Sequence, residues 1–115
     1  MNVYRNYIAP INENAPYDEL KEKFKINIPD NFNFAYDVVD WYAENAPDKR
    51  ALVWCNDEGE EHIYTFKQIS EESKKTAGFL VSQGIKKGDK VLLLLRRRFE
   101  FWYFMLALHR IGAIA

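Results

Sequence analysis

The chain has little of what many function classes require. Cys55 is the single cysteine among 115 residues, so no internal disulfide can form, and this fits a reducing, cytoplasmic setting better than a secreted one. The two histidines, His62 and His109, lie far apart, so a metal site would need several carboxylates to converge with them, and none is expected. The five glycines, at 59, 78, 84, 88 and 112, are isolated, which excludes a Gly-rich phosphate loop. Sixteen basic residues nearly cancel seventeen acidic ones, and a net charge of -1 sets up no global field for nucleic acid or an anionic membrane. The opening MNVYRNYIAP has no apolar run of signal-peptide length. The greasiest stretch, residues 91–115, is cut by Arg96, Arg97, Arg98, Glu100, His109 and Arg110. A membrane-spanning helix needs about 18 or more consecutive apolar residues, so no membrane span is expected.

What is present is unevenly distributed. All four prolines (Pro10, Pro16, Pro29, Pro47) fall in the first half, and residues 1–48 carry 4 basic against 9 acidic side chains. Residues 49–115 carry 12 basic against 8 acidic ones and hold the regular periodicities. The expected organisation is therefore an N-terminal arm, residues 1–31, with one short helix over 17–25, followed by a folded part, residues 32–115.

Within that part, Asn33 is a candidate N-cap. Phe34, Val38, Trp41 and Tyr42 then repeat at helical spacing until Pro47. The runs Ala51 to Cys55 and His62 to Thr65, rich in Val, Trp, Ile, Tyr and Thr, predict a hairpin turning through residues 57–60 with Gly59 in the left-handed conformation. Thr65 followed by Gln68 is a capping-box pattern for a helix to about Gln83, closed by Gly84. Val91 to Leu95 is a continuous aliphatic run, predicting a strand buried on both faces. The helix from Phe99 to Arg110 is apolar nearly all round, which predicts burial, and residues 113–115 open another strand. Strand, helix, strand, helix, strand is an α/β order: a β-hairpin followed by βαβα units of a truncated, mostly parallel sheet.

Four places carry candidate chemistry. Cys55 and His62 would face each other across the hairpin if the loop comprises residues 57–60, making an activated thiolate. Alternatively they are ordinary neighbours, since no orienting third group or oxyanion hole is evident. Arg96, Arg97 and Arg98 follow the C-terminal end of a predicted buried strand, where open α/β sheets bind ligands, and guanidinium forks suit phosphate. Solvated or acid-paired arginines are the alternative, because cations sit poorly at the positive end of the following helix. His109 near a helix C-terminus reads as helix-end stabilisation or packing. Phe99, Phe101, Trp102, Tyr103 and Phe104 read as core rather than as a stacking platform for bases.

The run from Phe32 to Ala115 resembles the N-terminal part of the adenylate-forming acyl-CoA synthetases, the AMP-binding enzyme superfamily, and most of all its short- and medium-chain branch. The resemblance rests on the helix ending at Asn45-Ala46-Pro47-Asp48-Lys49 and on Tyr64-Thr65-Phe66 leading into a helix. It also rests on the turn Gly84-Ile85-Lys86-Lys87-Gly88-Asp89-Lys90-Val91 and on Leu106 to Ala113 with Arg110-Ile111-Gly112-Ala113. It implies a large α/β domain of which this chain is the first portion. It also implies a parent ligase that joins a carboxylic acid to ATP as an acyl-adenylate with Mg²⁺, releases pyrophosphate, and passes the acyl group to coenzyme A. The family's Ser/Thr/Gly-rich phosphate loop, ribose-binding Asp and adenylation Lys match no position here. The resemblance therefore carries over no catalytic, cofactor-binding or metal-binding residue, and implies an inert fragment. A stand-alone interaction module for an acidic or phosphorylated partner, and a small thiol enzyme built on Cys55 and His62, are the competing readings. Self-association through apolar surface left uncovered by truncation is a further expectation.

Overall fold

A computed structural model describes residues 3–9, 12 and 14–115, and the chain divides into two compact units, Met1–Phe32 and Asn33–Ala115. In the first unit a short 3₁₀ turn, Val3–Asn6, precedes an antiparallel bridge between Ile8 and Ile26. Helix α1, Tyr17–Lys23, is shorter than the predicted 17–25. It starts directly after Pro16, carries Asp18 and Glu19 in its first turn and Lys21 and Lys23 in its last, and so matches the helix dipole at both ends. The described part of this unit is folded back on itself, with Ala9 N–H donating to the Lys25 carbonyl and Asn27 N–H to the Tyr7 carbonyl.

The second unit holds the regular structure. Asn33 caps the next helix as expected: its Oδ1 accepts from the Ala35 N–H at 3.0 Å, and its own N–H donates to the Asp37 carboxylate at 2.6 Å. The helix opens as a π-helical segment, Ala35–Asp40, and tightens into α2, Trp41–Asn45. The wider π pitch brings Ala35 and Val39, both buried, onto the core.

Strands β1, Arg50–Cys55, and β2, Glu61–Thr65, form an antiparallel hairpin turning at Gly59, whose φ of 82° is the left-handed value the turn needs. Thr65 and Gln68 make the full capping box of α3, Phe66–Ser82: the Thr65 hydroxyl accepts from the Gln68 N–H, and the Gln68 side chain accepts from the Thr65 N–H. Gly84, at φ 89°, follows the helix end. Helix α4, Glu100–Ile111, closes on Gly112 at φ 77°.

Two clusters make the core. Ala35, Val39, Ile69, Tyr103 and Leu106 form one, with Leu52, Tyr64, Phe66 and Phe99 against it. Leu80, Ala107 and Leu108 form the other, with Val91, Leu93, Ile111 and Ala113 packed on them. Helices α3 and α4 supply side chains to both clusters.

The fold is α/β, but its sheet is smaller than expected: the paired strands are those of the hairpin. The predicted parallel pairing survives as one bridge, in which Val91 N–H donates to the Ile114 carbonyl and Ile114 N–H to the Asp89 carbonyl, both at 2.8 Å. Val91 to Leu95 is not buried on both faces. Val91 and Leu93 turn inward, whereas Leu92 and Leu94 are 90% and 88% exposed, because no other element of the described chain lies over them. Helix α4 is likewise one-sided: Tyr103, Leu106, Ala107 and Leu108 are buried and Trp102 is exposed.

Candidate functional site

The hairpin register separates the proposed thiol pair. His62 stands opposite Trp54, and Cys55 opposite Glu61, so Cys55 and His62 are one step out of register and point to opposite faces. The loop comprises residues 56–60 rather than 57–60. Cys55 is exposed, while the His62 ring packs among Trp54, Tyr64 and Phe99 at centroid distances of 5.4, 6.3 and 5.1 Å. This is an aromatic cluster, not a nucleophile and its base.

The three arginines also part company. Arg98 donates two hydrogen bonds to Glu100 and so holds that carboxyl below the usual carboxylate range. Arg97 sits at φ 46°, a strained value for a residue with a side chain, and its carbonyl accepts from the Trp54 indole N–H. Arg96 and Arg97 have exposed side chains without an ion-pair partner among the described residues. An open groove lies alongside, lined by Val53, Trp54, Cys55, Leu95, Phe101 and Trp102 together with Arg97 and Arg98. The aromatic run therefore splits: Tyr103 is core, Phe99 packs against the core, and Phe101 and Trp102 line the groove. His109 packs its ring edge-on to Phe34 at 6.4 Å, and its carbonyl accepts from the Asn33 side chain, consistent with a packing role at the helix end.

The most organised polar group in the unit was not evident from sequence. Asp40, at the end of the π segment, receives both forks of the Arg110 guanidinium at 2.8 and 2.6 Å and the Ser70 hydroxyl at 2.6 Å. Arg110 Nε also donates to Ser73 Oγ at 2.9 Å, and the guanidinium lies over the Tyr36 ring. Burial alone would push the Asp40 carboxyl up. The hydrogen bonds from Arg110 and Ser70, with the charges of Arg110 and Lys74, outweigh it and hold the carboxyl below its ordinary value. The arginine side chain is 4% exposed and each of its three nitrogens donates a hydrogen bond, so the network ties the π segment to α3 and α4. Asp40 and Arg110 are 70 residues apart. Ser70 and Ser73 are both buried on α3, a signal visible only once the helix is placed.

Among the described residues, no three of His, Cys, Asp and Glu converge as a metal site. With Asp40 committed to Arg110, no chemical step is assigned to the side chains described.

Residues 39–115, about two thirds of the chain, match the AMP-binding enzyme family. The chain belongs to that family. Acyl-coenzyme A synthetase ACSM3, mitochondrial, of Homo sapiens is 35% identical over 104 residues, covering 85% of this chain and 18% of the relative. Acetyl-coenzyme A synthetase of Helicobacter pylori (strain G27) is 32% identical over 103 residues, covering 89% and 15%. Among solved structures, the fatty acyl-adenylate ligase from L. pneumophila, in complex with acyl adenylate and pyrophosphate, superposes with a TM-score of 0.65 at 32% identity. That superposition covers 70% of this chain and 14% of the ligase. The N-terminal subdomain of Klebsiella oxytoca NpsA, in complex with 3-hydroxybenzoyl-AMSN, gives 0.59 at 31% identity, covering 67% and 18%. The chain thus spans less than a fifth of the length of these two acyl-coenzyme A and acetyl-coenzyme A synthetases. Among the described residues no helix is long and apolar enough to cross a membrane.

Proposed function

We propose that the chain is a scaffold portion of an AMP-forming acid–thiol ligase. The parent would activate a carboxylic acid with ATP and Mg²⁺ as an acyl-adenylate and transfer the acyl group to coenzyme A. Activation of this kind is needed because a carboxylate is a poor electrophile, whereas an acyl-AMP carries a good leaving group. The observation that carries the reading is the family match over residues 39–115, reinforced by relatives named as acyl-CoA synthetases that align to most of the chain.

The role of residues 33–115 would be mechanical. Packed α3 and α4 form one wall of the large domain, and the Asp40–Arg110 network fixes the helix before the hairpin against that wall. The chain by itself would be inert, holding no catalytic, cofactor-binding or metal-binding residue. The lone cysteine suits a cytoplasmic parent, while the named relatives include both mitochondrial and bacterial enzymes.

Sequencing the transcript beyond the Ala115 codon tests this. An open frame running into a Ser/Thr/Gly-rich segment supports the ligase. A stop codon directly after Ala115 in the only transcript favours the alternative, a non-catalytic module that binds an acidic partner through its Lys/Arg-rich half.

A further inference from the structure

The helix that opens the second unit has a pitch that its local sequence does not explain. A π-helix is rare, yet Ala35–Asp40 adopts one before the chain returns to α geometry at Trp41. The segment AYDVVD holds neither Pro nor Gly, the residues at which helices commonly kink. Its buried apolar residues do not select the pitch by themselves either. Ala35 and Val39 are four residues apart, so they would share one face of a regular α-helix as well.

Asp40 does distinguish the two pitches. At about 3.6 residues per turn it would lie about 140° round the helix from Ala35, on the side turned away from the core. With hydrogen bonds spanning five residues instead of four, position 40 falls nearly above position 35, and the carboxylate reaches inward to groups that α3 and α4 bury. Those groups are the Ser70 hydroxyl at 2.6 Å and the Arg110 fork at 2.8 and 2.6 Å. Arg110 is 4% exposed and is fixed on its own account. Its Nε donates to Ser73 Oγ at 2.9 Å, and the Tyr36 ring lies against its guanidinium at 5.1 Å, so it cannot follow the carboxylate outward.

We infer that the Asp40–Arg110 pair is a register lock. The segment 35–40 has two pitches open to it, both of which bury Ala35 and Val39, and the buried pair selects the π one. Without the pair the segment tightens into α geometry, position 40 turns to solvent and its contact with Ser70 is lost. The lock also sets the phase at which α2 begins. That helix carries Tyr42, which stacks on Phe66 at a centroid distance of 4.5 Å and takes the Lys49 ammonium over its ring at 4.4 Å. The inference concerns contacts inside residues 33–115 and stands apart from the ligase reading.

The test compares the full 115-residue chain with the double variant Asp40→Ala, Arg110→Met. Removing both charges together leaves no buried ion unpaired, so the fold is retained. Scalar couplings across backbone hydrogen bonds, read by NMR, show which carbonyl each amide of the segment engages. The native chain is expected to couple to carbonyls five residues back, and the double variant to carbonyls four residues back. In the variant the methyl group at position 40 should show no nuclear Overhauser contact with the Ser70 side chain. Protection of the Leu108 amide from hydrogen exchange reports the core in both proteins. Retention of the five-residue pattern in the variant, with position 40 still against Ser70, would overturn the proposal by assigning the pitch to local sequence. A four-residue pattern in the native chain would overturn it as well. So would loss of Leu108 protection in the variant, because the lock requires the apolar contacts to survive at either pitch.

Discussion

The Arg110 guanidinium grips both carboxylate oxygens of Asp40, at 2.8 and 2.6 Å, from 70 residues further along the chain. This contact spans most of the second unit in sequence and joins the end of its π-helical segment to its last helix. Asp40 is 16% exposed and Arg110 4%, so neither charge can be handed back to water if its partner is lost.

Truncation of either partner is therefore expected to be costly. Asp40→Ala should destabilise the chain by about 3–5 kcal/mol, since it leaves the buried Arg110 charge uncompensated, and Arg110→Ala by less, since Asp40 keeps Lys74 at 3.7 Å and the Ser70 hydroxyl. The double variant should lose less than the sum of the two. Urea unfolding of the four proteins in a double-mutant cycle measures the coupling.

Acid sensitivity follows from the same contact. The Asp40 carboxyl titrates below its ordinary value in the folded chain, so its stabilising contribution is fully present above about pH 4 and is lost as the pH falls through the depressed folded value. Below about pH 4 the urea midpoint should drop more steeply for the native sequence than for Asp40→Asn, which has no carboxyl to protonate there. Parallel profiles would assign the acid transition to other carboxylates.

Helix α3 depends on its cap. Thr65→Ala removes the hydroxyl that accepts from Gln68 N–H and should cost about 1 kcal/mol, lowering the melting temperature by about 4–8 °C. Thr65→Ser should recover most of that loss.

At the end of α4, Gly112 holds φ 77°, and a Cβ there would lie 3.1 Å from the flexible Lys87 side chain. Because that side chain can move aside, the cost of Gly112→Ala is set by the backbone, about 1–2 kcal/mol. The companion Lys87→Ala should leave that cost unchanged, and thermal melts of the three variants check it.

The thiol reading makes a kinetic statement. With Cys55 opposite Glu61 and the His62 ring set against Trp54 and Phe99 on the other face, His62→Ala should leave the rate of iodoacetamide labelling of Cys55 at pH 7 unchanged. A large fall in rate would restore the pair.

Local features were the most legible in the sequence. The Asn33 cap, the Thr65–Gln68 box, the Gly59 turn and the Gly112 stop each depend on a few neighbouring residues with fixed stereochemistry, and each stands where the pattern put it. Register was less legible. Moving the turn by one residue, to include Asn56, carried His62 away from Cys55, because strand side chains alternate with a period of two.

Contacts distant in sequence were hidden. Nothing local to Asp40 announces Arg110, or the hydrogen bonds that Ser70 and Ser73 make with the pair. The continuous run Val91 to Leu95 predicted two-sided burial from composition alone. Burial also requires covering elements, and the described chain supplies them for Val91 and Leu93 but not for Leu92 and Leu94. The family resemblance, by contrast, needed only residues in order and at the right spacing, and the match over residues 39–115 confirms it.

The central claim is that this chain is scaffold and not active site. Incubating the full 115-residue chain with ATP, Mg²⁺, coenzyme A and a set of short- and medium-chain carboxylic acids, and measuring pyrophosphate, tests it most directly. The account predicts no pyrophosphate above a protein-free control, and carboxylate-dependent release that scales with chain concentration would contradict it.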